Sequence, residues 1–135
     1  MSGERPPAID PQLVQDFVRK AHGDLEGTKA LLEQEPRLVN ACWDWGGGDW
    51  ETGLGGAAHL GNRPIAEYLI ERGARVDIFA AAMLGQLAVV KALVAANPGI
   101  HRHPGPHGIP LARHAERGGE AAAAVLEYLR GLEES

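Results

Sequence analysis

Apolar residues three and four positions apart recur along this chain in short runs, and polar caps, prolines and glycines punctuate them. Leu13, Val14, Phe17, Val18 and Ala21 form the first stripe, with Gln12, Gln15, Asp16, Arg19 and Lys20 on the opposite, wet face. Asp10 is placed as its N-cap and Pro11 at its first helical position. Asp24 caps a partner run in which Leu25, Thr28, Leu31 and Leu32 face inward before Pro36 ends it. A second pair carries Ala57 and Ala58, then Ile65, Leu69 and Ile70, with Asn62 and Pro64 as the start signal and Gly73 as a left-handed stop. A third uses Ile78, Phe79, Ala82 and Met83, then Leu87, Val90, Leu93 and Val94, stopping at Asn97-Pro98. The fourth runs from Pro110 to Gly118 and from Glu120 to Leu129, with Gly131 read as its stop. The pattern predicts four helix pairs and no strand beyond short finger-like turns.

One glycine marks the same place in each pair: Gly23, Gly61, Gly85 and Gly118. Gly85 to Gly118 is 33 residues, Gly61 to Gly85 is 24 and Gly23 to Gly61 is 38, so the helices repeat while the connections differ. Thr52, Leu54, Ala57, Ala58, Gly61, Ile65, Leu69, Ile70, Gly73 and Ala74 stand in the order of an ankyrin repeat, whose period is about 33 residues. The chain resembles that family over roughly residues 12 to 130. Two departures are Gly53, where the family has proline, and Gly55, where it has the histidine that braces the loop. The resemblance implies an all-α fold, an ankyrin-type solenoid of about four stacked helix-turn-helix repeats. It also implies recognition of a protein partner through finger loops and a concave face. Residues 10–131 are expected to form the repeat domain, with an irregular loop at 36–51 and a finger loop at 98–108. Residues 1–9 are expected to be a flexible segment and 132–135 a tail.

At 135 residues the chain suits one domain, and hydrophobic residues reach 44% while aromatics are only 5%, which fits thin helices packing closely. A net charge of −5 without a Lys/Arg cluster argues against a phosphate-tracking surface, so no nucleic acid partner is expected. No stretch approaches the roughly 20 apolar residues that span a bilayer, and the start has no apolar signal core. No membrane association and a cytoplasmic location are expected. Cys42 has no cysteine to pair with and is read as a bystander. Arginine outnumbers lysine ten to three, a bias that suggests a bacterial source.

Two segments stand apart from the repeat. Residues 41–51 hold all three tryptophans, Trp43, Trp45 and Trp50, interleaved with Asp44, Asp49 and Glu51. Such indoles either roof the edge of the stack or await a ligand, and indole faces beside carboxylates attract guanidinium and ammonium groups. Gly46, Gly47 and Gly48 read as a turn with positive φ rather than a phosphate cradle, because the flanking carboxylates repel an anion. The second segment, residues 101–114, holds four of the six histidines. His101, His103 and His107 are metal candidates, His101 and His103 because they would share a side of an extended finger. The spacing matches no closed zinc module, and the structural reading of these histidines is favoured; His107 and His114 are candidate substitutes for the missing loop braces. His22 and His59, near the ends of first helices, are read as surface or packing residues.

Two function classes follow. The preferred one is a non-enzymatic protein-interaction module whose partner presents Arg or Lys to Trp43, Asp44, Trp45, Asp49, Trp50, Glu51 and His107. No cofactor and no catalytic residue is expected, since neither a Ser-His-Asp set nor a paired cysteine nucleophile is present. The alternative is a small cationic-ligand or metal site in a notch between the Trp-rich and His-rich loops, which the shortened second connection would leave open.

Overall fold

The computed structural model describes residues 5–134. Within them lie eight α-helices in four consecutive pairs: α1 (Pro11–Lys20) with α2 (Leu25–Gln34), α3 (Gly53–His59) with α4 (Arg63–Glu71), α5 (Ile78–Leu84) with α6 (Leu87–Ala96), and α7 (Leu111–Arg117) with α8 (Ala123–Glu134). The caps read from sequence at Asp10, Asp24 and Asn62 form, and Thr52 and Asp77 cap two further helices. Asp10, Asp24, Thr52, Asn62 and Asp77 each accept a hydrogen bond from a backbone N–H two or three residues on, satisfying a donor that the helix itself leaves free.

The first helices of each pair pack in a row, α1 on α3, α3 on α5 and α5 on α7, while α2 lies against α4 and α6 against α8. Two apolar clusters result. Phe17, Leu38, Leu54, Ile65, Leu69 and Met83 fill one, and Ile78, Val90, Leu111, Val125 and Leu129 fill the other. Alanine faces let the row close up: Ala80, Ala81 and Ala82 in α5 are all fully buried. At Gly85 (φ 80°) an added Cβ would strike the Ala121 carbonyl, so the pattern glycine both reverses the chain and admits the next pair. The link between pairs two and three is short, residues 72–77, and Asn40 pins it by donating to the Gly73 carbonyl (3.1 Å) and accepting from Arg75 N–H (2.8 Å).

Three expectations need correction. The loop at 36–51 is not irregular throughout: Pro36–Asn40 forms a 3-10 turn, and β1 (Cys42–Asp44) pairs antiparallel with β2 (Trp50–Thr52). Gly131 does not stop the last helix, which runs through it to Glu134, so residues 132–134 belong to α8 rather than to a tail. The reason is that Gly131 has no left-handed φ, and propensity alone costs too little to break a helix held by buried Val125 and Leu129. Residues 1–4 and 135 of the expected end segments lie outside the described residues.

Candidate metal centre

The two-stranded ribbon aims the site's central residue. Strand residues alternate sides, so Trp50 points outward and is 60% exposed while Glu51 points inward and is 1% exposed. The register sets Trp43 opposite Glu51. A tight turn closes the ribbon. Trp45 N–H donates to the Asp49 carbonyl (3.0 Å), the Asp44 carboxylate accepts from Gly46 and Gly48 N–H (2.9 and 3.0 Å), and Gly46, Gly47 and Gly48 all take positive φ as the sequence predicts. Asp44 is therefore committed to its own turn.

Three imidazoles meet the Glu51 carboxylate, each from a different element. His22 follows α1, His59 is the last residue of α3, and His107 sits in the finger loop between α6 and α7. His22 Nε2 lies 3.1 Å from Oε1, His59 Nε2 lies 3.1 Å from Oε2, and His107 Nε2 is 3.2 Å from both oxygens. The four ligand atoms fall within 4.8 Å of one another. Trp45 Nε1–H donates to Oε1 at 2.8 Å, leaving Oε2 as the less committed oxygen. Indeed Glu51 Oε2 and His59 Nε2, though close, are not aligned as a hydrogen bond, and both are buried without a partner. Two ligands about 2.0–2.1 Å from a common ion are separated by about 2.9–3.4 Å, which is the spacing of these contacts.

Outer partners fix the rings. His22 Nδ1 lies 2.8 Å from the Val18 carbonyl, which only accepts, so that nitrogen carries the proton. His107 Nδ1 lies 2.7 Å from Asp49 Oδ2, and the same carboxylate accepts from His107 backbone N–H through Oδ1 at 2.7 Å. His107 is the one non-glycine residue with positive φ (61°) among the described residues, and Asp49 grips it there from 58 positions away. With Nδ1–H engaged on both rings, each Nε2 of neutral imidazole turns a lone pair toward the Glu51 oxygens. Close lone pairs repel; either a proton on each ring or a shared cation resolves the conflict, and a divalent ion supplies the same two charges as two protons. The arrangement of carbonyl- or carboxylate-bound Nδ1 with inward Nε2 is the usual outer shell of a histidine metal ligand. Room for His22 is made by Gly56, where a Cβ would lie 2.6 Å from His22 Cε1.

Electrostatics agree with a strongly held anion. Burial by itself pushes Glu51 up, but the nearby His22 and His59 outweigh it and hold the carboxyl far below its usual range. Burial pulls His22 down, yet the Glu51 contact and charge reverse this and leave it raised. The His107 backbone N–H, chiefly, lowers Asp49.

Of the residues singled out from sequence, Glu51 and His107 sit in the cluster, Trp45 donates into it and Asp49 supports it from outside. Trp43 and Trp45 are half-buried against the first apolar cluster, whereas Trp50 is exposed, so the tryptophans divide between roofing and display. His101 and His103 do not join His107: among the described residues the only group of His, Cys, Asp and Glu close enough to share an ion is His22, Glu51, His59 and His107. Ile100–Arg102 is a 3-10 turn, so the period of two that would align His101 with His103 does not apply. His114 is fully buried; its Nδ1 lies 2.9 Å from the Pro110 carbonyl and its ring rests 4.8 Å from that of Phe79. It thus braces the loop, as one reading of its position expected.

His22 and His59, read from the sequence as surface or packing residues, lie largely buried with their rings against the Glu51 carboxylate. A signal was present: both precede the pattern glycine by one or two residues, and such positions in adjacent stacked pairs arrive at the same place. Set against known proteins, the chain matches no family model, and no curated protein resembles it significantly.

Proposed function

We propose that this protein is a metal-binding protein in which an ankyrin-type stack holds one divalent transition-metal ion between His22, Glu51, His59 and His107. The observation that carries the reading is the convergence of three Nε2 atoms on one buried carboxylate whose outer oxygen is unpartnered. Nitrogen and oxygen donors without thiolate suit zinc, iron(II), nickel or manganese better than copper(I). Glu51 contributes one negative charge, the histidines none, and Asp49 a second charge just outside. The stack's contribution is rigidity, since His22 and His59 come from its first two helix pairs, Glu51 from the ribbon between them, and His107 is clamped by Asp49. This favours the metal alternative over the partner-recognition reading, for which exposed Trp50 is the supporting observation.

The test is metal uptake by the dialysed full-length chain. One equivalent of zinc or cobalt(II) should bind and raise the melting temperature by mass action, with cobalt giving a visible ligand-field spectrum. His59→Ala should abolish uptake, and His103→Ala, a change at an exposed residue outside the cluster, should leave it intact. No uptake at micromolar metal, or uptake unchanged in His59→Ala, refutes the reading. Circular dichroism of the variants separates lost ligation from lost fold.

A further inference from the structure

Beside the metal centre lies a cavity of about 360 Å³ between the ribbon and the finger loop. Its walls include Trp50, Phe79, Pro104 and Pro106, and its polar groups include Asp49 and Asp77. No Lys, Arg or His lines it. Among the described residues Trp50 is the most exposed of the large apolar side chains, its indole reaching solvent at the rim. Gly55 brings the cavity close to the His/Glu cluster. Gly55 belongs to the wall, and a Cβ there would stand 3.5 Å from Glu51 Cγ and 3.7 Å from Pro106 Cγ. Asp49 faces both sides, holding His107 while lining the cavity.

We infer that this cavity is a binding site for a small organic cation, an ammonium or guanidinium group on an apolar body, seated next to the metal. The volume falls in the range of small-ligand sites, and aromatic and proline walls suit an apolar body. The sign of the charge follows from a local count. A divalent ion is matched by Glu51 and Asp49, so Asp77 leaves the neighbourhood with one net negative charge; without the ion, two protons on the histidine rings supply the same two charges and the balance stays negative. Asp77 uses one oxygen, Oδ1, to cap α5 through Ala80 N–H (2.9 Å), and its residue is exposed, so Oδ2 is available to a cation. An anion would meet two carboxylates and no counter-charge. A cation over an indole face gains further attraction. The inference names the ligand class for the proposed metal protein, yet the cavity and its charge exist without the ion, so the two can fail separately.

The experiment is fluorescence and NMR titration of the full-length chain, zinc-loaded and metal-free, with phenethylammonium, 3-phenylpropionate and 2-phenylethanol as probes of one size and three charges. Phenethylammonium should shift the tryptophan emission saturably and perturb the amides of Trp50, Phe79 and Gly105, and the other two should bind at least tenfold more weakly. Asp77→Asn keeps the helix cap, because asparagine caps as well as aspartate, and removes the charge. It should weaken phenethylammonium at least tenfold with an unchanged melting temperature, and Trp50→Ala should do likewise. Equal binding of the alcohol or the carboxylate, an unaffected Asp77→Asn, or no saturable response overturns the inference. Cation binding in a protein that takes up no zinc sinks the metal reading alone, and zinc uptake without cation binding sinks this one alone.

Discussion

Replacing Asp49 by asparagine changes one atom and should reverse the proton arrangement on His107. The backbone N–H of His107 demands an oxygen at the Oδ1 position, so the new amide nitrogen is forced to the position facing Nδ1. An NH₂ group donates, so Nδ1 must become the acceptor and the ring proton moves to Nε2. That nitrogen then carries hydrogen where a metal ligand needs a lone pair. Loss of an outer-shell partner typically lowers metal affinity 10- to 100-fold, and a tautomer reversal belongs at the upper end. At zinc concentrations 100 times the wild-type Kd, the ion stabilises the native chain by about 2.7 kcal/mol. In a domain of this size that is roughly 10 °C of melting temperature. A 10-fold weaker variant retains about half of the zinc-induced shift and a 100-fold weaker one about a sixth. Without metal the variant should melt close to wild type, since Nε2–H now donates to Glu51. Competition with a chromophoric chelator at pH 7 and paired thermal melts measure both quantities. Wild-type zinc affinity in Asp49→Asn would show that His107 does not ligate through Nε2, and the proton argument would fail.

Other outcomes follow from the same geometry. Gly56→Ala places a methyl 2.6 Å from His22 Cε1 and should push that ring off the Val18 carbonyl, lowering zinc affinity at least tenfold in the chelator assay; an unchanged affinity would mean that His22 is not a ligand. Gly85→Ala combines φ 80° with a collision at the Ala121 carbonyl and should cost about 1–3 kcal/mol in urea unfolding, so equal midpoints would contradict the packing described. Burial holds His114 below its ordinary value, so the unfolded chain protonates first as pH falls. The stability this neutral ring contributes is complete above its unfolded value, about 6.5, and is lost as pH drops through it. His114→Met should therefore flatten the fall in stability between about pH 7 and pH 5. A slope equal to wild type in urea titrations across that range would refute it.

The sequence by itself determined the helices and most of their stops, Gly131 excepted, because these are local. Apolar residues three and four apart, Asp and Asn caps and positive-φ glycines act within a few residues of themselves, and the structure places them where the pattern does. It also pointed to the Trp-rich and His-rich loops, which the structure brings into contact through Asp49 and His107. The strand alternation of Trp50 and Glu51 was hidden in a segment too short to show a period. Only the tertiary structure decided which residues meet. Glu51, His22, His59 and His107 are drawn from positions up to 85 residues apart, and no spacing rule connects them. Their meeting depends on the stacking of first helices, on Gly56 yielding room to a ring, and on Asp49 holding a finger loop in an unusual backbone state. Stacking is a sum of many weak apolar contacts that any similar helix face would satisfy. The convergence of four polar side chains is a property of the final packing and has no local signature.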